Sequence, residues 1–398
     1  MKKETFRILA TDVMMSNDTW VTGLNNNDLI IGTSGCGKTR GYVKPNILQC
    51  SESMIIADTK NCIRKDVEPH LLDNGYKIIS MDFKNCLLSD GYNPLDYVRH
   101  DAERDKYSEQ DIITVAACMV TGTDTRDPFW HLAAQMYIEA MISYALECLP
   151  EEEHNMISVF RLFAEMNTFK FRHLFEKLGE ENPDSFGFSR YQCFQSSDKA
   201  EKMYESIRGI VAQNLSTFMF DGTKEMFNKS DRIRFEQLGE EKTAVFLNIS
   251  DTDRSSDKLV SLFYTQALQA LCNHADNSEG NRLKIPVRFY LDDFAANAYI
   301  PDFDKIISVI RSREISVSVI LQSISQLEAL YGEAKAKTIL NNCDNLLYLG
   351  GTDADTARYI GIKANKSTTS ILNMPLDDAW LFTRGSVPRS AQKFVPVV

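Results

Sequence analysis

The sequence predicts an α/β fold: a largely parallel sheet carrying a phosphate-binding loop, interrupted by an all-α insertion. Three observations lead there. A glycine-rich loop, Gly32 to Thr39, stands between a short apolar run and a helix-compatible stretch. Short apolar runs alternate with helical patterns on both sides of the middle of the chain, the pattern of a parallel sheet. In the middle itself strand signals vanish for roughly 115 residues, a normal size for an independent unit.

Asp28-Leu29-Ile30-Ile31 reads as a buried strand entering the loop, with Ser53 to Ala57 and Tyr76 to Ser80 as two more. From Asp101 to Thr217 helical periodicity takes over. Asp127-Pro128 suits the cap and first turn of a helix running to Leu149. Phe129, Trp130, Leu132, Met136, Met141 and Tyr144 make that helix apolar nearly all round, so it is expected to be buried. Ile157 to Met166, Phe169 to Leu178 and Asp198 to Leu215 read as further helices. Alternation resumes with a strand at Thr243 to Ile249, a helix from about Lys258 to Ala275, and strands at Val287 to Leu291, Ile315 to Leu321 and Asn345 to Leu349. Phe303 to Ile310 is helical in pattern. The tail from Trp380 carries turn signals at Arg384-Gly385-Ser386 and Val387-Pro388 and reads as a hairpin or edge strand. The expected organisation is one discontinuous α/β domain, residues 1–100 and 218–398, around an all-α domain, residues 101–217.

Composition narrows the function classes. The 398 residues are 43% hydrophobic and 25% charged, an ordinary globular balance. The net charge of −11 leaves no global positive field to hold nucleic acid, so any DNA contact must be local or shared between subunits. Nine cysteines, never spaced Cys-x-x-Cys, suit a reducing cytoplasm and argue against a zinc site or a disulfide frame. Thr11, Asp12, Ser16, Asn17 and Asp18 interrupt the amino-terminal apolar residues, so no secretory signal is expected. No apolar run approaches the roughly 20 residues of a membrane-spanning helix. A cytoplasmic chain is the expectation.

Four motifs carry chemistry. Gly32-Thr33-Ser34-Gly35-Cys36-Gly37-Lys38-Thr39 matches G-x-x-x-x-G-K-[ST] in the right context, after a strand and before a helix. Its glycines let backbone N–H groups wrap phosphate oxygens. Lys38 would reach the β and γ phosphates of ATP, and the Thr39 hydroxyl would ligate Mg²⁺. Phe289-Tyr290-Leu291-Asp292-Asp293 has the form of a Walker B element: Asp292 near the Mg²⁺ shell, beside the loop, and Asp293 placed to polarise the attacking water. A pair of solvated turn aspartates is the plainer reading. Gln322 ends the apolar run from Ile315 and is placed to report on the γ phosphate or its water, or else to cap a helix. Arg311 and Arg313 either complete a neighbour's site in a ring or form an ordinary salt-bridged pair. Asp58-Thr59-Lys60 puts charge at the same carboxyl edge of the sheet.

With these residues placed, the chain resembles the type IV secretion-system coupling proteins, the TraG-type ATPases of bacterial conjugation. The likeness covers nearly the whole chain. It is most specific in Leu291-Asp-Asp-Phe-Ala, Ile300-Pro-Asp-Phe303, Ile310-Arg-Ser-Arg-Glu-Ile315, Ile320-Leu-Gln-Ser-Ile-Ser-Gln-Leu327 and Leu349-Gly-Gly-Thr-Asp353. Gly41-Tyr-Val-Lys-Pro-Asn46, Gly91-Tyr-Asn-Pro-Leu95 and Asp127-Pro-Phe-Trp130 extend it upstream. The resemblance implies a RecA-like P-loop nucleotide-binding domain with an inserted all-α domain. It implies a homo-hexamer, monomeric when isolated, at the inner face of the cell membrane. Hydrolysis of Mg-ATP would drive or license transfer of single-stranded DNA with its relaxase, alongside the membrane components of the secretion system.

Three departures stand out. Family members usually carry Asp-Glu where this chain has Asp292-Asp293, one methylene short, and a misplacement of about 1 Å can cost on the order of a hundredfold in rate. Slow turnover is therefore expected, and a nucleotide-gated adaptor that hardly hydrolyses ATP and recruits relaxase or effector proteins is the alternative. The loop begins at Gly32, so the family's usual amino-terminal membrane anchor is not expected here: an associated protein supplies it, or this is a cytosolic form or an excised piece. Asp58-Thr59-Lys60-Asn61 keeps the acid and lysine of the family's Asp-Pro-Lys-Gly but not its proline and glycine.

Overall fold

The computed structural model describes residues 4–120, 129–166, 168–195, 201–296 and 299–396. Two compact units divide the chain: residues 1–81, 234–252 and 267–398 in one, residues 82–233 and 253–266 in the other.

The first unit is built on a sheet of nine strands among the described residues. In chain order the strands of this unit are β1 (Phe6–Ala10), β2 (Val13–Ser16), β3 (Asp28–Ile31), β4 (Ser53–Ala57), β5 (Lys77–Asp82), β6 (Thr243–Asn248), β7 (Val287–Leu291), β8 (Ile315–Leu321), β9 (Asn345–Tyr348), β10 (Asp378–Thr383) and β11 (Arg389–Gln392). β1 and β2 form a separate antiparallel hairpin. The large sheet runs β11-β10-β9-β3-β8-β7-β4-β6-β5. Its β9-β3-β8-β7-β4-β6 stretch is parallel, while β10 and β11 close one edge antiparallel. The wholly buried strands β3, β4, β7, β8 and β9 explain why they read as continuous apolar runs rather than alternating ones. One face of the sheet packs Ile30, Ile56, Phe246 and Ile320 against Tyr42, Val43, Ile47, Val67 and Leu71, with Leu9 and Val13 of the hairpin joining that core.

β8 runs between β3 and β7. One expectation changes here. Of the stretch Phe303 to Ile310 only Phe303–Ile306 is helical. Ser308 and Ser312 turn their hydroxyls onto the carbonyls of Lys305 and Val309, competing with regular helix bonding.

The second unit is mainly helical, and its bounds reach beyond 101–217 on both sides. The turn Cys86–Leu88 packs on the helix Asp221–Asn228, so local contacts draw the flanks into it. Its central helix, Phe129–Cys148, meets the helices Glu109–Met119, Phe186–Gln195 and Glu201–Ser216. Ala134, Tyr137, Ile138, Met141 and Ile142 are buried along it, although Phe129 and Leu132 are exposed. Glu139 is buried on that helix and paired with Arg190 at 2.8 Å. Asp127-Pro128 lies outside the described residues, as does the expected start at Asp198; the helix there is described from Glu201 to Ser216. No described helix is long and apolar enough to cross a membrane.

Candidate nucleotide site

The loop Gly32 to Thr39 leaves the carboxyl end of β3, the strand flanked by β8 and β9. Backbone bonds fix its start to the two neighbouring strands' ends: Gly32 N–H donates to the Leu321 carbonyl at 3.1 Å and Thr33 N–H to the Gly350 carbonyl at 3.1 Å. Gly35 and Gly37 take φ of 79° and 96°, in the left-handed region where only glycine is unstrained, and open space surrounds both. That concavity is what a phosphate chain needs. After it the chain makes a wide π-type turn over Thr39–Val43 before the short helix Lys44–Ile47.

The charged side chains converge on this loop. Lys38 is 7% exposed, and its ammonium donates to the carbonyls of Gly32 at 2.7 Å and Thr33 at 3.2 Å. The Thr39 hydroxyl donates to Asp292 Oδ2 at 2.6 Å, although Asp292 sits two strands away from β3. Burial, reinforced by the Asp293 charge, lifts the Asp292 carboxyl to about 6 against the pull of the Thr39 bond. Asp293 occupies φ 48°, a left-handed position that aspartate tolerates better than most residues. Gln322 Nε2 stands 3.4 Å from Asp293 Oδ1, at the tip of β8. Lys38, Thr39, Asp292, Asp293 and Gln322 thus form one constellation at the carboxyl edge of the sheet. A hydroxyl beside a buried carboxylate fits a divalent cation: an oxygen pair of this kind suits Mg²⁺, and added positive charge would offset the cost of burying the carboxylate.

Other predicted residues go elsewhere. Arg311 and Arg313 precede β8, at the amino edge of the sheet, the opposite end from Gln322. Arg311 donates to the Thr19 carbonyl at 3.2 Å, and Arg313 grips Asp276 with two bonds of 2.7 and 2.8 Å. Asp58 is buried and caps the helix Ile63–Asp73, accepting from the N–H groups of Cys62 at 3.0 Å and Arg64 at 2.8 Å. Its acid is thereby accounted for by the fold. Cys36 packs its sulfur where a Cβ on Gly32 would fall, so it fills space inside the loop.

Sequence reasoning missed the wall opposite Asp292. A cavity of about 530 Å³ opens beside Thr33 to Gly37, closed by Leu9, Leu376, Lys393 and Phe394. The tail reaches it because Thr11 holds the Gln392 and Lys393 carbonyls at 2.9 Å each. Gly41 faces the Phe394 carbonyl, which a Cβ would approach to 2.7 Å, so only glycine lets the tail cross the turn that follows the loop. Burial lowers the Lys393 ammonium. No spacing rule marks these tail residues, since they meet the loop only through the β10–β11 hairpin.

A parallel sheet with a glycine loop on one strand, a polar tip on the next and a carboxylate pair on the one beyond defines a P-loop protein of RecA-like fold. Residues 3–383 match the model of the "Type IV secretory system Conjugative DNA transfer" family, and the chain belongs to that family. Among solved structures it is similar to the plasmid coupling protein TrwB in complex with ADP and Mg²⁺, with TM-score 0.72 and 16% identity over 100% of this chain and 90% of that one. TrwBdeltaN70 in complex with sulphate gives TM-score 0.70 and 17% identity over 93% and 86%. VirB4 of Thermoanaerobacter pseudethanolicus gives TM-score 0.58 and 13% identity over 100% and 98%. At these identities the likeness speaks to fold. No curated protein sequence matches the chain.

Proposed function

We propose that this chain is a coupling ATPase of conjugative type IV secretion: it binds Mg-ATP at Gly32 to Thr39 and hydrolyses it slowly to drive transfer of single-stranded DNA with its relaxase. The observation that carries this reading is the continuous set Lys38, Thr39, Asp292, Asp293 and Gln322 around one glycine loop. Thr39 and Asp292 would hold Mg²⁺, which neutralises charge on the phosphates when bound. Lys38 exchanges the carbonyls of Gly32 and Thr33 for phosphate oxygens, and the loop N–H groups orient the chain of phosphates. Asp293 accepts a hydrogen bond from the attacking water, and Gln322, touching Asp293, relays its presence to β8. The cavity walled by Leu376 and Phe394 takes the base and sugar. Arg311 and Arg313, remote from this loop, serve a neighbouring subunit in a hexamer at the inner face of the membrane. The all-α domain, residues 101–217, selects the relaxase or secreted protein, and residues 1–100 and 218–398 form the motor.

ATP turnover measured with and without single-stranded DNA tests this. Lys38→Ala should remove at least 90% of turnover, about 1.4 kcal/mol or more of transition-state stabilisation; an unchanged rate sinks the motor reading. The shortened carboxylate supports the second reading, a nucleotide-gated adaptor. Asp293→Glu separates the two: a gain of tenfold or more marks a detuned motor, whereas near-zero rates in both proteins favour the adaptor.

A further inference from the structure

We propose that Tyr331 is a positioning residue for the hydrolytic step: from the far end of the helix that follows Gln322 it pins the loop that follows Asp293, and so sets where the Asp293 carboxylate stands. The inference rests on the hydrolysis reading and adds to it a residue outside every motif of the site.

Asp293 needs such a hold. Its φ of 48° is a left-handed conformation, which a residue other than glycine keeps only where its surroundings fix it. Aspartate is short, so a shift of its backbone passes almost whole to the carboxylate. The next residue supplies the anchor. Phe294 is buried and stacks on Tyr331 with ring centroids 5.8 Å apart and planes at 20°, while Phe303 closes on it at 5.1 Å. Further along the same loop, the Tyr331 hydroxyl accepts from the Ile300 N–H at 3.0 Å and donates to the Ile300 carbonyl at 3.2 Å. One hydroxyl thus meets both backbone groups of a wholly buried residue. Burial raises the Tyr331 phenol, which therefore keeps its proton and both bonds through neutral pH.

The helix Ile324–Tyr331 is a firm support for this grip. Ser323 caps it, accepting from the Gln326 N–H at 3.4 Å, and the Ile324 N–H donates to Thr356 Oγ1 at 3.0 Å. Gln322, just before the cap, stands 3.4 Å from Asp293 Oδ1. Tyr331, in the last turn, holds Phe294 and Ile300. One element about 12 Å long therefore touches Asp293 on its side chain at one end and secures its backbone at the other. Any displacement of the helix moves both holds together, and a misplacement of about 1 Å at the reacting water can cost on the order of a hundredfold in rate.

The test measures ATP turnover and equilibrium affinity for Mg-ADP on the full chain. Tyr331→Phe keeps the ring stack and removes the hydroxyl. It should lower kcat about tenfold while Mg-ADP affinity stays within about twofold of wild type, because the phosphate loop is anchored by its own bonds to Leu321 and Gly350. In an Asp293→Asn background, where no carboxylate is left to place, the same change should alter the residual rate by less than about twofold. An unchanged kcat in Tyr331→Phe overturns the placement alone, as does an equal slowing with and without the Asp293 carboxylate. Loss of Mg-ADP affinity in step with the rate also overturns it, since Tyr331 would then support the whole site rather than Asp293. A wild-type chain without turnover overturns the placement together with the hydrolysis reading.

Discussion

Asp292 carries an electrostatic cost in the nucleotide-free protein. Its carboxyl titrates at about 6 in the fold against 3.8 as the free residue, mainly because it is buried. Between about pH 4 and 6 the native state therefore binds more protons than the unfolded chain, and this group's contribution to stability falls as pH rises. Above pH 6 the loss is complete, at about 3 kcal/mol. Asp292→Asn keeps an oxygen for the Thr39 hydroxyl and removes the charge. In urea unfolding with a chelator present, the variant should exceed wild type by about 3 kcal/mol at pH 7.5 and by only about 1 kcal/mol at pH 4.5. An equal gap at both pH values would contradict the burial argument. The loop Gly32 to Thr39 and the carboxylate pair that ends β7 were legible because each is a contiguous pattern. The 2.6 Å bond between Thr39 and Asp292 was not, since it joins residues separated by 253 positions.

At the scale of elements, the phosphate-loop strand is held from beneath by buried charge. Arg288, wholly buried near the start of β7, donates to Glu52 Oε1 at 2.6 Å, the Asn26 carbonyl at 2.9 Å, Ser318 Oγ at 3.2 Å and Asp28 Oδ2 at 3.4 Å. Arg7 of β1 reaches Asp28 with bonds of 2.8 and 3.3 Å, and the Tyr42 hydroxyl adds a third partner at 2.6 Å. Burial alone would favour a neutral Arg288, but Glu52 and Asp28 outweigh it and raise its pKa. Arg288→Met leaves Glu52 short of its cation, and breaking a buried pair in this way costs about 3–5 kcal/mol. Urea unfolding should show that loss, and a change under about 1 kcal/mol would mean that Arg7 suffices for both carboxylates. In the sequence Arg288 is only a charge inside an apolar run. Its partners sit 236 and 260 positions away, and no periodicity encodes them.

For the whole molecule, the Arg311–Arg313 segment faces away from its own phosphate loop, so any part it plays in hydrolysis requires a second copy. Light scattering should therefore show growth from monomer toward a hexamer when a slowly hydrolysed ATP analogue and single-stranded DNA are both present. A constant mass under every combination of ligands would remove the trans role. The same measurement on Lys38→Ala separates assembly driven by nucleotide from assembly driven by DNA.

The amino-acid sequence by itself determined the α/β class, the positions of β3, β4, β7 and β8, the phosphate loop and the carboxylate pair. Each depends on contiguous signals: an unbroken apolar run means a strand buried on both faces, and glycines at set spacing mean a loop shaped for phosphate. Tertiary structure alone decided the strand order that inserts β8 between β3 and β7, the capping duty of Asp58, the tail that walls the cavity, and the remoteness of Arg311 and Arg313. Those outcomes depend on which elements become neighbours, and that is settled by the summed packing of distant segments rather than by any local pattern.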